Sequence, residues 1–504
     1  MDEIKNFFIA FILIFLILVI WQYLFLPKPQ PKIEKPKEEV REILPVDTLR
    51  EIAIKGEEII LENNKVKLIF SNFGGILKSV YLKDYDCELL RKGSGYFGLT
   101  LFSKDKKFNF NSEIFKYQKK DNEIIFEGEL ENYKIIKRYQ LKKDYNLSFT
   151  FSCLEDFNYW ALTFEPFLNF TEKDTNEELD YANYQYYFKN QLKNINFKRM
   201  KKDEVIYERE VAWLTMKNKY FLFAFFPNFY LDSCQFLKRE REGGIVIYSK
   251  EKREINFSFL FAPLDYNFLK SFKKDLEKAV PLGWPKPFSL GILFLLKFLY
   301  KIFQNYGLAI IMFALLMKLL FFPFSRLQNE QIRKMQLLQP KLEELKRKYK
   351  DDPQTLNRET MQLYQLYKIN PFTGCLPFII QLPVFWALYS VFRQTIDLRK
   401  AHFIFWIKDL SVKDPIYVLP IVMGVFFIFQ NILTNPDKKN IFFTFIFPIF
   451  LTLIFLNFPA GLQLYWLIFN ILSILESLIF QKGGFKWLKI KMKPKTSLKL
   501  SKKW

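Results

Sequence analysis

From Gly291 to Phe480 the chain is dominated by Phe, Leu and Ile, in stretches about as long as a bilayer is thick. A helix crossing a hydrocarbon core of about 30 Å needs roughly 20 apolar residues, and in lipid only helices or closed barrels satisfy every backbone polar group. Tyr306 to Phe324, Cys375 to Phe392, Ile416 to Leu433, Ile441 to Phe458 and Leu462 to Phe480 therefore read as membrane spans. Asn6 to Leu26 adds a sixth: it is uncharged, and its flank QYLFLPKP offers no small-residue cleavage site, so a retained anchor is expected rather than a signal peptide.

One residue in these spans is out of place. Lys318 sits inside IIMFALLMKLLFFPF (Ile310 to Phe324), where a lysine costs about 2.5–3.5 kcal/mol at a helix centre and by default marks a pathway or a site. The plainer reading is a lysine that snorkels to the inner headgroups, since Ser325 is about two turns on. At a rise of about 1.5 Å per residue, Lys318 lies roughly 18 Å below the outer end of its span, within reach of a cavity open to the cytosol.

The 504 residues carry a net charge of +22 and a mean hydropathy of −0.03, the latter an average over two unlike halves. A charge of this size could suggest nucleic acid, but its placement decides. Arg326, Arg333, Lys334 and further basic residues up to Lys350 follow the lysine-bearing span, and lysines recur from Lys482 to Lys503. Both stretches read as cytosolic under the positive-inside rule. Alternation then puts the tail inside, and Arg393 to Pro415 and everything between the anchor and Pro285 outside. Arg393, Arg399 and Lys400 leave the charge bias incomplete. Trp21 and Trp406 near the outer face and Trp487 near the inner one suit aromatic belts.

After the anchor (1–27), a Pro-, Lys- and Glu-rich stretch reads as an extended linker (28–50). Composition shifts near Trp284, and a β-domain is expected over 51–284. Period-two alternation in VKLIFSNFGGILKSVYL, NYKIIKRYQLKKDYNLSFTFS and KREINFSFLFA predicts a large, mostly antiparallel β-domain, with Gly74 and Gly75 at a hairpin connection. The stretch 285–304, with Lys297 and Lys301 on a greasy background, reads as an interfacial helix. A helical core follows over 305–482. Within it, Ser325 to Tyr349 and Gln354 to Lys368 predict a polar helical hairpin (325–369), its first helix striped by Ile332, Met335, Leu338, Leu342 and Leu345. A basic tail (483–504) closes the chain. Cys87, Cys153, Cys234 and Cys375 form no CxxC-type pair, so no zinc site follows, and whether two of the first three pair is left open.

NPFTGCLPFIIQLPVFWALY (Asn370 to Tyr389), FWIKDLSVKDPIYVLPIVMG (Phe405 to Gly424) and FPAGLQLYWLIFN (Phe458 to Asn470) resemble the core of the YidC/Oxa membrane-protein insertases in order and spacing. The likeness covers about Pro287 to Gln481. The anchor and β-domain resemble those of the long, Gram-negative type, whose extra domain is a β-supersandwich similar to sugar mutarotases. This second likeness is looser and rests mainly on KVKLIFSNFGGILKSVYL. The fold so implied is a multidomain membrane protein: an anchor, a five-helix core with a cytosolic hairpin, and an all-β periplasmic domain, placed in a bacterial inner membrane. The resemblance further implies a water-filled groove, open to cytosol and lipid but closed outside, with one cation in the first core helix. That position is Lys318, where the family usually carries arginine. A desolvated lysine surrenders its proton more readily than arginine, so the groove is expected to be wet.

By the same resemblance Gln430, Tyr465 and Trp466 complete the groove. Read alone, Gln430 is equally a helix-end residue, Tyr465 and Trp466 are packing or interface aromatics, and Glu476 is an interfacial carboxylate near the inner headgroups rather than a partner of Lys318. Pro377, Pro383, Pro420 and Pro448 free backbone carbonyls and suit helices kinked around a cavity, or simply irregular packing. The implied clients are nascent membrane proteins, taken alone or with the Sec translocon, and the implied mechanism uses no cofactor, metal or small-molecule substrate. The basic tail suits anionic lipid headgroups or ribosomal RNA alike. Mutarotases use histidine with a carboxylate, whereas His402, the one histidine, falls outside the β-domain. No phosphate-loop, zincin or nucleophile-elbow motif occurs, and no catalytic residue is expected. A secondary transporter or channel is the alternative, since intramembrane charge serves those too, but no inverted repeat is evident.

Overall fold

A computed structural model describes residues 56–481 apart from 92, 94, 104–105, 240–241, 251–254, 284, 368, 370–375 and 435–440. The expected anchor, linker and basic tail, with Trp21, Trp284, Cys375 and Trp487, lie outside the described residues. Among those described, alternating segments build two antiparallel sheets of ten and nine strands. The first has the spatial order Glu58–Glu62, Val66–Ser71, Ile76–Leu82, Gly95–Ser103, Tyr159–Glu165, Glu242–Ser249, Ser233–Arg239, Glu204–Ile206, with Cys87–Glu88 and Lys106–Asn109 paired alongside. The second runs Gln191–Asn196, Asn183–Phe188, Val211–Lys217, Phe221–Phe226, Ile255–Pro263, Asn146–Cys153, Tyr133–Leu141, Glu123–Leu130, Lys116–Lys120. The described parts of all three alternating segments form strands, and Gly74 and Gly75, both at positive φ, connect the expected hairpin. Cys87, Cys153 and Cys234 are free thiols.

The sheets close on a phenylalanine core whose centre is a bulge. Where Thr163 pairs with Gly98 and Phe164 with Tyr96, Phe97 is the extra residue, held at φ 69°. A bulge re-aims the side chain it carries. Phe97 thus meets Phe149 and Phe259 of the opposite sheet at 5.0 and 4.7 Å. The carbonyl the bulge takes out of the ladder is satisfied by Lys137, whose Nζ donates to Phe97 O (2.9 Å) and Gly74 O (2.7 Å). Burial pushes this ammonium down to about 7, as it does that of Lys217, which donates to Ala279 O.

The helical half contains α1 (Lys286–Phe303), α2 (Tyr306–Lys348), α3 (Pro353–Leu366), α4 (Leu376–Gln394), α5 (Val418–Thr434), α6 (Phe447–Phe455, entered through a π-turn over Phe442–Ile446) and α7 (Ala460–Gln481). The first span and the first hairpin helix, expected as separate elements, are one helix of 43 residues that contains Pro323 and Pro340. The chain passes from apolar to charged sequence without leaving the helix, so no turn is needed at Ser325. Leu338 and Leu342 of the predicted stripe are buried, and Lys341 Nζ donates to Tyr367 OH (2.5 Å) across the hairpin. Among the described residues, α2 and α7 are long and apolar enough to cross a bilayer by length and composition; α5 and α6 are shorter. Gly424 lets α5 and α6 approach closely, since a Cβ there would meet Thr452 Oγ1 at 2.4 Å.

The β-domain is bolted to the outer connection between α4 and α5. The hairpin turn Asn218–Tyr220 is buried, folded back by Asn218 Oδ1, which accepts from the backbone N–H of Tyr220 and Phe221. Tyr220 OH donates to Ser411 Oγ (3.0 Å). Glu177 lies 2.9 Å from Lys219 and 3.1 Å from Arg393, and Arg399 donates to Glu172 (2.8 Å) and Thr171 O (3.2 Å). Burial alone would raise the Glu177 carboxyl, but Lys219 and Arg393 hold it below its ordinary range. Lys297 of α1 ties that helix to Asp265 (2.5 Å) and Asp397 (3.0 Å). Removing one partner of such a buried pair strands the other charge. Arg399→Ala and Glu172→Ala are each expected to destabilise the protein by about 3–5 kcal/mol, with the double variant losing clearly less than the sum. Denaturant melts of the full chain in detergent check this.

Candidate functional site

The site is a seam between α2 and α7, which lie against each other. Lys318 and Ser325 are seven residues apart on α2, as Phe469 and Glu476 are on α7, and a seven-residue repeat keeps side chains on one helical face. Lys318 Nζ lies 2.6 Å from Glu476 Oε2, donates to Ser473 Oγ at 2.8 Å and sits 5.0 Å above the Phe469 ring. Ser473 in turn donates to Phe469 O (2.8 Å), and Ser325 Oγ donates to Glu476 Oε1 (2.5 Å). The two charged side chains are 12% and 8% exposed, so water screens them weakly and pairing outweighs snorkelling. Toward the hairpin the seam continues with Ser477 Oγ donating to Asn329 Oδ1 (3.3 Å).

Glu476 is the correction here. Its position near the end of the last span suggested an interfacial carboxylate, but the side chain turns inward and is the direct counter-ion of Lys318. The signal available in the sequence is the polar series Asn470, Ser473, Glu476, Ser477 in a largely apolar helix, whose spacing places them on one face. Lys318 is correspondingly a paired cation rather than a lone one. Tyr465, one turn before Phe469 on the same face, is fully buried and accepts from Gln381 Nε2 (3.0 Å) while its ring lies 5.9 Å from that of Phe469. Trp466 points elsewhere, packing on Phe385 of α4 (5.7 Å) and on Phe455 of α6 (5.4 Å). Gln430 is on α5, with a buried Oε1 that has no hydrogen-bond partner among the described residues; Asn470 Nδ2 is in the same condition. The structure thus brings Lys318 and Tyr465 onto one face and leaves Trp466 and Gln430 outside the ion pair's hydrogen-bonded cluster. The side chain of Pro377 lies outside the described residues, whereas Pro383 is inside α4, Pro420 in the first turn of α5, and Pro448 just after the π-turn.

At its outer end the seam is capped. Ala460 N and Gly461 N, at the start of α7, donate to Val412 O and Leu410 O of the outer connection, and buried Gln463 donates to Phe455 O and Phe458 O. Asp414, also buried, accepts from Trp406 Nε1 and from the backbone N–H groups of Ile416, just before α5, and Leu419, in its first turn.

Residues 298–486 match the 60Kd inner membrane protein family, and residues 58–295 match the YidC periplasmic domain. The chain belongs to the YidC family. It is an inner-membrane protein whose β-sandwich is the YidC periplasmic domain. Among its relatives, the membrane protein insertase YidC of Geobacter sp. (strain M21) is 37% identical over 294 residues, covering 56% of this chain and 55% of the relative. That of Geotalea daltonii (strain DSM 22248 / JCM 15807 / FRC-32) is 43% identical over 235 residues, 46% and 44% of the two chains. The chain spans about half the length of the curated relatives it matches. Among solved structures, a crystal structure of an active YidC insertase with its first transmembrane domain resolved is similar over 84% of this chain and 92% of that one, at 18% identity and a TM-score of 0.41.

The pairing predicts a thermodynamic signature. Lys318→Met or Glu476→Leu alone leaves one buried charge without its partner and is expected to cost about 3 kcal/mol or more, whereas the double variant approaches wild-type stability. Unfolding of the purified full chain in detergent distinguishes this from two independent contributions.

Proposed function

We propose that this YidC-family chain inserts membrane proteins: it moves short hydrophilic tails of nascent clients across the inner membrane and releases their apolar segments sideways into lipid. The single observation that supports the reading is a charged, hydrogen-bonding seam placed inside membrane-spanning sequence and closed off toward the periplasm. Lys318 is the group that meets the client, and Tyr465 lines the same face above it. Gln430 and Trp466 act as more distant members of the groove wall.

A client's polar end enters from the cytosol, where water and the seam's polar groups lower the cost of carrying charge part-way across. Attraction between Lys318 and a client carboxylate at about 4 Å amounts to roughly 1 kcal/mol in bulk water and about 4 kcal/mol at an effective dielectric of 20. That range biases entry without trapping the client. The apolar segment then slides past α2, whose Leu319 and Leu320 are largely exposed, and enters lipid by hydrophobic burial. The membrane potential assists transfer of an acidic tail. The tail at 483–504, placed in the cytosol, contacts anionic headgroups or a ribosome, and the Sec translocon joins for larger clients.

Proteoliposomes containing the full chain test the reading with a single-span client bearing an acidic tail. Wild type and Lys318→Arg are expected to insert it, Lys318→Ala to insert it less well, and Lys318→Glu to be worst, with negligible solute flux throughout. Equal insertion by all four removes the electrostatic role. Solute flux without insertion would favour a transporter.

A further inference from the structure

A lysine paired with a carboxylate presents no net charge to a client, so the selectivity of the seam depends on both members. We propose that Glu476 is a specificity-determining residue: it holds Lys318 in a neutral pair whose partners exchange with those of the client. A client carboxylate takes the place of Glu476 at Lys318, and a client ammonium or guanidinium takes the place of Lys318 at Glu476. The inference rests on the insertase reading and deepens it, since an unpaired cation would favour acidic tails and oppose basic ones.

Three observations carry it. The pair sits inside membrane-spanning helices with its side chains 12% and 8% exposed, where a charge by default marks a pathway or a site. Each member also has a second polar contact that stays when its partner leaves: Ser473 on Lys318, 2.8 Å away, and Ser325 on Glu476, 2.5 Å away. Exchange therefore never strips either charge of all its hydrogen bonds. Finally, a neighbouring polar group is incompletely used. Asn470, adjacent to Phe469 and three residues before Ser473, is buried with Nδ2 unpartnered among the described residues. A partly satisfied polar network is costly when left so, and a client's polar tail supplies the missing acceptor.

The test uses the purified full chain in proteoliposomes and one single-span client made with an acidic, a neutral or a basic translocated tail. Wild type is compared with Glu476→Gln, which keeps the shape and one hydrogen-bonding oxygen, and with the charge-swapped Lys318→Glu/Glu476→Lys. Rates are normalised to folded protein from melting curves. Relative to the neutral tail, Glu476→Gln is expected to raise insertion of the acidic tail and lower that of the basic tail by roughly fivefold each, the factor that an attraction of about 1 kcal/mol supplies. The charge swap is expected to retain both. If Glu476→Gln leaves the three tails in their wild-type proportions while Lys318→Glu still impairs insertion, Glu476 is only a structural partner and this inference is overturned. If wild type inserts none of the three, the insertase reading itself fails.

Discussion

The ion pair between Lys318 and Glu476 is the constraint around which the helical half is arranged. Two charges inside membrane-spanning helices are tolerable only if they face each other and keep their hydrogen bonds, which fixes the register of α2 against α7. Seven-residue spacing on both helices then brings Ser325, Phe469 and Ser473 to the same seam. Once that register is set, Tyr465 falls one turn above Phe469, over whose ring Lys318 sits, and Asn329 meets Ser477 below the ion pair.

A second electrostatic arrangement holds the outer side. Arg393 and Arg399 weaken the positive-inside pattern when charge is counted along the sequence, and the structure accounts for them: Glu177 and Glu172 of the periplasmic domain neutralise them. The turn Asn218–Tyr220 touches both pairs, through Lys219 on Glu177 and the Tyr220 ring under Arg399, and reaches Ser411. The outer connection is in turn hydrogen-bonded to the first residues of α7. A continuous set of contacts thus runs from the β-domain to the helix that carries Glu476.

Much of this was legible because it is local. Strand alternation and apolar length are properties of consecutive residues, and they mark the β-domain, the hairpin at Gly74 and Gly75, and the apolar helices of the described core. Lys318 stood out for the same reason. What depended on tertiary register was missed: Glu476 lies far along the chain from Lys318, and only the facing of two helices makes it a counter-ion. The Phe97 bulge was equally hidden, since nothing in an apolar run marks a phenylalanine for positive φ. The continuity of α2 through Pro323 is not visible in sequence, because a change from apolar to charged composition resembles a boundary even where the backbone has no reason to turn.

Whether water reaches the seam from the cytosol is best measured by chemical accessibility. With Ser473→Cys as the sole cysteine of the full chain, a membrane-impermeant maleimide should label inverted vesicles, whose cytosolic face is outward, and leave right-side-out vesicles unlabelled. A client stalled in the act of insertion should protect the thiol. Labelling from the periplasmic face alone, or none from either side while a cysteine in the α2–α3 hairpin reacts normally, would contradict a wet, inward-opening seam.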